Sequence, residues 1–119
     1  MPADARAVAG GRAEQLAAAF LVAHGLVIVE RNFRCRRGEI DIIARDGDTL
    51  VFAEVRLRTR RDFGGAAASI TAAKQARMTA AALFYLGRGS RMPPCRFDAL
   101  LLDRLDSDRI EWLKDIIGA

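Results

Sequence analysis

The stretch Glu39 to Arg58, EIDIIARDGDTLVFAEVRLR, decides how this chain folds. Two runs of alternating apolar and polar residues flank Asp46-Gly47-Asp48, and a short Asp-Gly segment between such runs signals a β-hairpin. The first arm runs from Glu39 to Arg45, and the second from near Thr49 to about Arg58. Strand side chains alternate with period 2. Glu39, Asp41 and Ile43 therefore share one face of the first arm, and Ile40 and Ile42 take the other. In the second arm Glu54, Arg56 and Arg58 share a face, opposite Val51, Ala53, Val55 and Leu57. Each arm has an apolar face that packs and a face that carries carboxylates. Asp41 lies six residues before Gly47 and Glu54 seven after it, which puts the two near-opposite across the hairpin.

Two carboxylates held side by side repel unless a proton, a base or a cation stands between them. A hard divalent cation suits such a pair. It takes oxygen ligands, needs only one or two protein carboxylates, and keeps its waters for chemistry. An ion of this kind orients a phosphodiester and activates water. The main-chain carbonyl of Val55 is an additional candidate ligand, and Glu14 is another if the first helix packs across this edge. The same pair also fits a salt-bridged sheet surface, with Asp41 and Glu54 answered by Arg37, Arg56 or Arg58. Spacing alone leaves both open.

On the N-terminal side, residues 1 to 9 are small and weakly patterned, and read as a frayed start. Gly10-Gly11 then leads into RAEQLAAAFLVAHG, where Ala13, Leu16, Ala17, Phe20 and Leu21 recur at helical spacing and Gly25 is a stop. Glu14 falls near the margin of that apolar stripe. An acid early in a helix is ordinarily a solvated residue favoured by the helix dipole. LVIVERNF reads as a strand, followed by a basic link with Arg34, Arg36 and Arg37 that Gly38 ends.

On the C-terminal side, TRRDFGGAAASIT reads as a loop, with Ser69 or Thr71 as a helix cap. Ala72 to Leu86 reads as a helix stopped by Gly87, RFDALLL as a strand, and RIEWL as a short last strand packing Ile110 and Trp112. Lys74 and Arg77 lie three apart on the second helix. They, with Arg34 and Arg37, are candidate phosphate contacts or plain solvated charge. Phe84 and Tyr85 read as packing rather than a base-stacking platform. His24, the lone histidine, reads as surface or a helix C-cap.

The order is α-β-β-β-α-β-β. Its simplest packing is one α/β domain over residues 10–119, a mixed sheet flanked by helices. With 119 residues there is no room for two domains. At 51% apolar the chain can build a core, yet no apolar run approaches the roughly 20 residues that cross a bilayer. No secretory signal pattern opens the chain, so the cytoplasm is the expected compartment. Cys35 and Cys95 are too few and too far apart for a zinc site, and read as ordinary side chains.

The formal net charge is +4, unevenly spread: residues 1 to 97 carry net +7 and residues 98 to 119 net −3. A basic body attracts polyanions, although charge also keeps small domains soluble. Of the 19 basic residues, 17 are arginine. Arginine suits bidentate contact with phosphate, and an arginine-favouring coding bias gives the same composition.

Read together, GGRAEQLAAAFLVAHGLVIVERNFRCRRGEIDIIARDGDTLVFAEVRLRTR, FGGAAASITAAKQARMTAAALFYL and RFDALLLD resemble the small bacterial UPF0102 proteins, also called the YraN family. RNFRCRRGEIDIIARDG and VFAEVR are the most specific pieces. That family is similar to the restriction-endonuclease-like, Holliday-junction-resolvase-like fold. The resemblance implies an Asp followed by Glu-x-Lys on the next strand, with a further Glu from the first helix. Here these are Asp41, Glu54 and Glu14, with a basic residue at Lys74. Arg56 stands where the pattern has lysine. Arginine holds phosphate but is a poor base, because its pKa lies above about 12.

Three functions follow as expectations. The first is a Mg²⁺- or Mn²⁺-dependent phosphodiester hydrolase acting on DNA, including branched or damaged DNA. Asp41 and Glu54 hold the metal, Glu14 assists, and Arg56 clamps phosphate. Lys74 is a candidate replacement for the missing lysine, and Arg34, Arg37, Lys74 and Arg77 grip the backbone. The second is a non-catalytic nucleic-acid-binding or adaptor protein on the same scaffold. The third is an interaction protein with an exposed apolar patch near Trp112, Ile116 and Ile117, a patch that also suits a homodimer.

Overall fold

A computed structural model describes residues 5–57, 70–87, 92–102 and 110–117, with side chains from residue 11 onward. Helix α1 spans Ala5–Ala23, and strands β1, β2 and β3 span Val27–Cys35, Gly38–Asp46 and Thr49–Leu57. Helix α2 spans Ala72–Leu86, followed by β4, Cys95–Leu102, and β5, Ile110–Leu113. The strands form one mixed sheet in the order β1-β2-β3-β4-β5. All neighbours are antiparallel except β3 and β4. Parallel neighbours need a crossover connection, and α2 lies within it. This is the α/β architecture expected from the sequence, and it is consistent with a restriction-endonuclease-like fold.

Two tight turns build the front of the sheet. Gly47, at φ 60°, and Asp48 connect β2 to β3, with Asp46 opposite Thr49. Arg36 and Arg37 connect β1 to β2, with Cys35 opposite Gly38. The basic link is thus a two-residue turn projecting from a second hairpin, and β1 runs two residues further than its apolar pattern suggests. Helix α1 begins at Ala5 and passes through Gly10-Gly11, because the alanine-rich flank outweighs the glycine penalty. It closes with Gly25 at φ 89°, the Gly25 N–H donating to Val22 O and the Leu26 N–H to Leu21 O, a Schellman ending.

The helices cover opposite faces of the sheet. On one face Ala17, Ala18 and Leu21 of α1 pack on Ile42, Ala44, Val51, Ala53 and Leu100. On the other, Ala81 and Ala82 of α2 pack on Phe33, Ile40, Ile43 and Phe52. Leu16 is only half-buried, and Ala18 takes its place in the stripe. Thr71 caps α2 by accepting the Lys74 N–H. Residues 58–69, 88–91 and 103–109 lie outside the described residues, and with them Arg58, Ser69 and the loops expected there.

Strict alternation fails in β2. Ile42 packs under α1, whereas Ile40 and Ile43 both pack under α2. The ladder between β2 and β3 ends at Ile42 opposite Ala53, so the face changes at Asp41. On the other side β1 turns at the same rung. Arg31 pairs with Ile42 and Phe33 with Ile40, and Asn32 between them sits at φ 56°. Asparagine is one of the few residues that tolerates this left-handed conformation.

At the far end of the sheet Asp98 is fully buried and fully satisfied. It accepts from Arg96 Nε, from Trp112 Nε1 at 2.9 Å and from the Asp115 N–H at 2.9 Å. Arg96 also pairs with Asp46 at 2.8 Å. These bonds pin β5 and the segment after it. Of the residues expected to form an apolar patch near the C-terminus, Trp112 and Ile116 pack half-buried against the core, and Ile117 is half-buried. His24 caps α1, donating from Nδ1 to Phe20 O at 2.8 Å.

Candidate functional site

Asp41 stands one rung beyond the last β2–β3 pair. There its Oδ2 accepts the Val55 N–H at 2.9 Å, a bond that a main-chain carbonyl of β2 would take in a regular ladder. Extending the register by one step sets Asp41 opposite Glu54. Their carboxyls are in hydrogen-bonding contact. Glu54 is 3% exposed, and its Oε1 meets Lys74 Nζ at 2.5 Å. A strand residue directs its N–H and C=O to the same side, so the Val55 carbonyl also faces the gap beside Asp41.

Burial raises the Asp41 carboxyl from its ordinary 3.8 to about 8, helped by the Glu54 charge beside it and opposed by the Val55 N–H. Glu14 adds a smaller repulsion. A proton on Asp41, donated to Glu54, relieves the repulsion between the two carboxyls. Glu14 itself is raised by burial, against the pull of Arg31 and a hydrogen bond from Asn32. Asn32 therefore joins the site through its side chain. Nothing in the sequence marks it except its place opposite Asp41 once the hairpin register is known.

A cleft of about 400 Å³ opens over Glu54 and Lys74. Arg34, Arg36, Arg37 and Arg77 line it, with Gly38, Glu39 and Met78. Gly38 decides how closely α2 approaches: a Cβ there would overlap the main-chain carbonyl of Arg77. Without that contact α2 could not carry Lys74 to Glu54. Arg34 pairs with Glu39 across the β1–β2 hairpin at 3.4 Å, both well exposed.

The fold thus gathers Asp41, Glu54, Lys74, Arg34, Arg37 and Arg77 about one end of the β2–β3 gap. Arg56 is half-buried, does not line the cleft, and makes no ion pair among the described residues. Its place beside Glu54 is taken by Lys74. Among the described residues no three His, Cys, Asp or Glu side chains come together at metal-binding distance. Two carboxylates and a carbonyl nonetheless match what Mg²⁺ asks of a protein. Both cysteines are free, and no described helix is long and apolar enough to cross a membrane.

Residues 13–102 match the family described as Uncharacterised protein family UPF0102. A UPF0102 protein of Nitrosospira multiformis is 54% identical over 106 residues, covering 89% of each chain. One from Janthinobacterium sp. is 49% identical over 118 residues, covering 99% of this chain and 94% of its own. One from Cupriavidus metallidurans is 53% identical over 115 residues, covering 96% of this chain and 84% of its own. With a family match over most of its length and relatives near half identical along it, this chain belongs to the UPF0102 family.

Proposed function

We propose that this protein is a metal-dependent phosphodiester hydrolase acting on DNA, with Asp41 and Glu54 as ligands to Mg²⁺ or Mn²⁺. One observation carries it: two carboxyls, the half-buried Asp41 and the buried Glu54, meet where two strands part, with Lys74 on Glu54 and a cleft lined by arginines over both Glu54 and Lys74. Burying such a pair costs stability, and a carboxyl perturbed by burial and a charged partner, beside a cleft, is a mark of chemistry. A divalent cation can replace the proton that now reconciles the pair. When bound, it supplies charge stabilisation at the phosphate and an activated water.

The chain's own residues divide the remaining tasks. Arg37 and Arg77 hold the phosphate backbone at the rim. The Val55 N–H fixes the orientation of Asp41. Lys74, held by Glu54, is placed to orient the attacking water or to neutralise charge building on the phosphate. It does so from α2, in place of the strand lysine that Arg56 replaces. Glu14 adds its charge beside Asp41 and assists there.

The test is a panel of single-stranded, duplex and four-way-junction DNA in EDTA, Mg²⁺ and Mn²⁺, scored for binding and cleavage. Asp41→Ala is run beside the wild type. Metal-dependent cleavage that the variant loses supports the hydrolase. Binding without cleavage in any metal would instead make this a nucleic-acid-binding protein on a nuclease scaffold.

A further inference from the structure

The arginine turn has two sides. One faces the cleft over Glu54 and Lys74. The other walls a second groove of about 620 Å³, floored by Ala80, Leu83 and Phe84 of α2. Arg34, Cys35, Arg36 and Arg37 line both. The sequence suggests that Phe84 and Tyr85 both pack, but they part company. Tyr85 is half-buried against Phe33 and Phe52, at centroid distances of 5.2 and 6.1 Å. Phe84 is 56% exposed and Leu83 57%, and one edge of Phe84 is steadied by Phe33 at 6.2 Å.

We propose that this groove is a nucleobase site, in which an unpaired base stacks on Phe84 while its phosphate rests on the Arg36–Arg37 turn. The cleft would then act on single-stranded segments of nucleic acid, a substrate preference that rests on the hydrolase reading of that cleft. Three observations support a base as the occupant. Every base offers a π-face to an aromatic ring, and arginine adds a cation–π contribution. Among the described residues no acid lines the groove, so a polyanion meets only positive charge there. The groove and the cleft share one basic wall, so neighbouring nucleotides of one strand can fill both. In a duplex the bases are already stacked on one another, and only an unpaired strand can splay one out. A second copy of the chain is a poorer occupant. A two-fold contact places the same patch on both sides, which would bring two arginine turns together.

The experiment measures binding of one labelled oligonucleotide, single-stranded and as its duplex, by fluorescence anisotropy in EDTA. Wild type, Phe84→Ala and Phe84→Trp are compared. Stacking on one aromatic predicts that Phe84→Ala weakens single-strand binding about tenfold or more. Duplex binding should be weaker at the outset and unchanged by the variant, and Phe84→Trp should restore the single-strand preference. Equal affinity for both forms, untouched by Phe84→Ala, would overturn the base site. A Phe84→Ala effect on self-association without one on single-strand binding would overturn it too, in favour of a homodimer. The two readings fail separately. Phe84-dependent single-strand binding without metal-dependent cleavage sinks only the hydrolase. Cleavage of duplex and single strand alike, indifferent to Phe84, sinks only the base site.

Discussion

The Val55 main-chain N–H donates to Asp41 Oδ2 at 2.9 Å, at the point where β2 and β3 stop pairing. The carboxylate closes the ladder in place of a peptide carbonyl. That bond holds the side chain beside Glu54, at the rung where strand alternation is lost between Ile40 and Ile42. Sheet geometry and site chemistry meet in one hydrogen bond.

Asp41 should make stability fall as pH rises. Its carboxyl is raised from 3.8 to about 8 by burial and by Glu54, so between those values the folded protein holds a proton that the unfolded chain has lost. The stability from that proton is complete below about pH 4 and is lost as pH climbs through about 8. Asp41→Asn can still accept from Val55 and donate to Glu54, with no charge to repel. In EDTA the variant should gain on the wild type steadily across that range, the gap widening with every pH unit up to about 8. Urea denaturation at several pH values measures the gap. A gap that does not change with pH would show that Asp41 is not protonated in the folded state.

Lys74 should matter more to cleavage than Arg56. Its ammonium meets Glu54 at 2.5 Å, whereas Arg56 lies off the cleft. Lys74→Ala is expected to lower the single-turnover cleavage rate by about a hundredfold or more. Its circular dichroism should stay that of the wild type, while Arg56→Ala should keep most of the rate. The reverse ranking would return the lysine's role to the strand position.

Salt dependence should separate the rim arginines. Arg37 and Arg77 line the cleft, and Arg34 is already engaged with Glu39. Arg37→Ala and Arg77→Ala should each lower the slope of log affinity against log salt by about 1, the mark of one lost phosphate contact. Arg34→Ala should lower it less. Slopes identical to the wild type would place the phosphates elsewhere.

Gly38 should be intolerant of any side chain. A Cβ there would overlap the Arg77 carbonyl, and backbone does not yield as a flexible side chain does. Gly38→Ala should cost about 1–3 kcal/mol and should weaken the coupling between Lys74 and Glu54 as α2 is pushed away. A thermal melt and the cleavage rate report the two effects. An unchanged melt would mean that α2 sits further from the β1–β2 turn.

Much of this was legible from residues alone, and the limits have physical reasons. Period-2 alternation and Asp46-Gly47-Asp48 were enough to find the β2–β3 hairpin and to put Asp41 and Glu54 opposite one another. The α2 limits followed from Thr71 and Gly87. The face change at Asp41 was not legible, because a side chain standing in for a main-chain partner there is something periodicity does not encode. The role of Asn32 depends on a left-handed residue on the neighbouring strand. Lys74 could be named as a candidate, but its contact with Glu54 depends on how closely α2 approaches Gly38. Asp98 lay unremarked in RFDALLL, since only the fold brings Arg96, Trp112 and the Asp115 N–H around it.

The carboxylate pair as a cation site is tested most directly by titrating the protein with Mn²⁺ in weak buffer near neutral pH and measuring proton release alongside binding. Metal binding displaces protons from its ligands, and Asp41, raised to about 8, holds one there. Release of about one proton per bound ion, with binding lost in Asp41→Asn and Glu54→Gln, is the predicted result. Mn²⁺ binding without proton release, or equal binding by both variants, would contradict it.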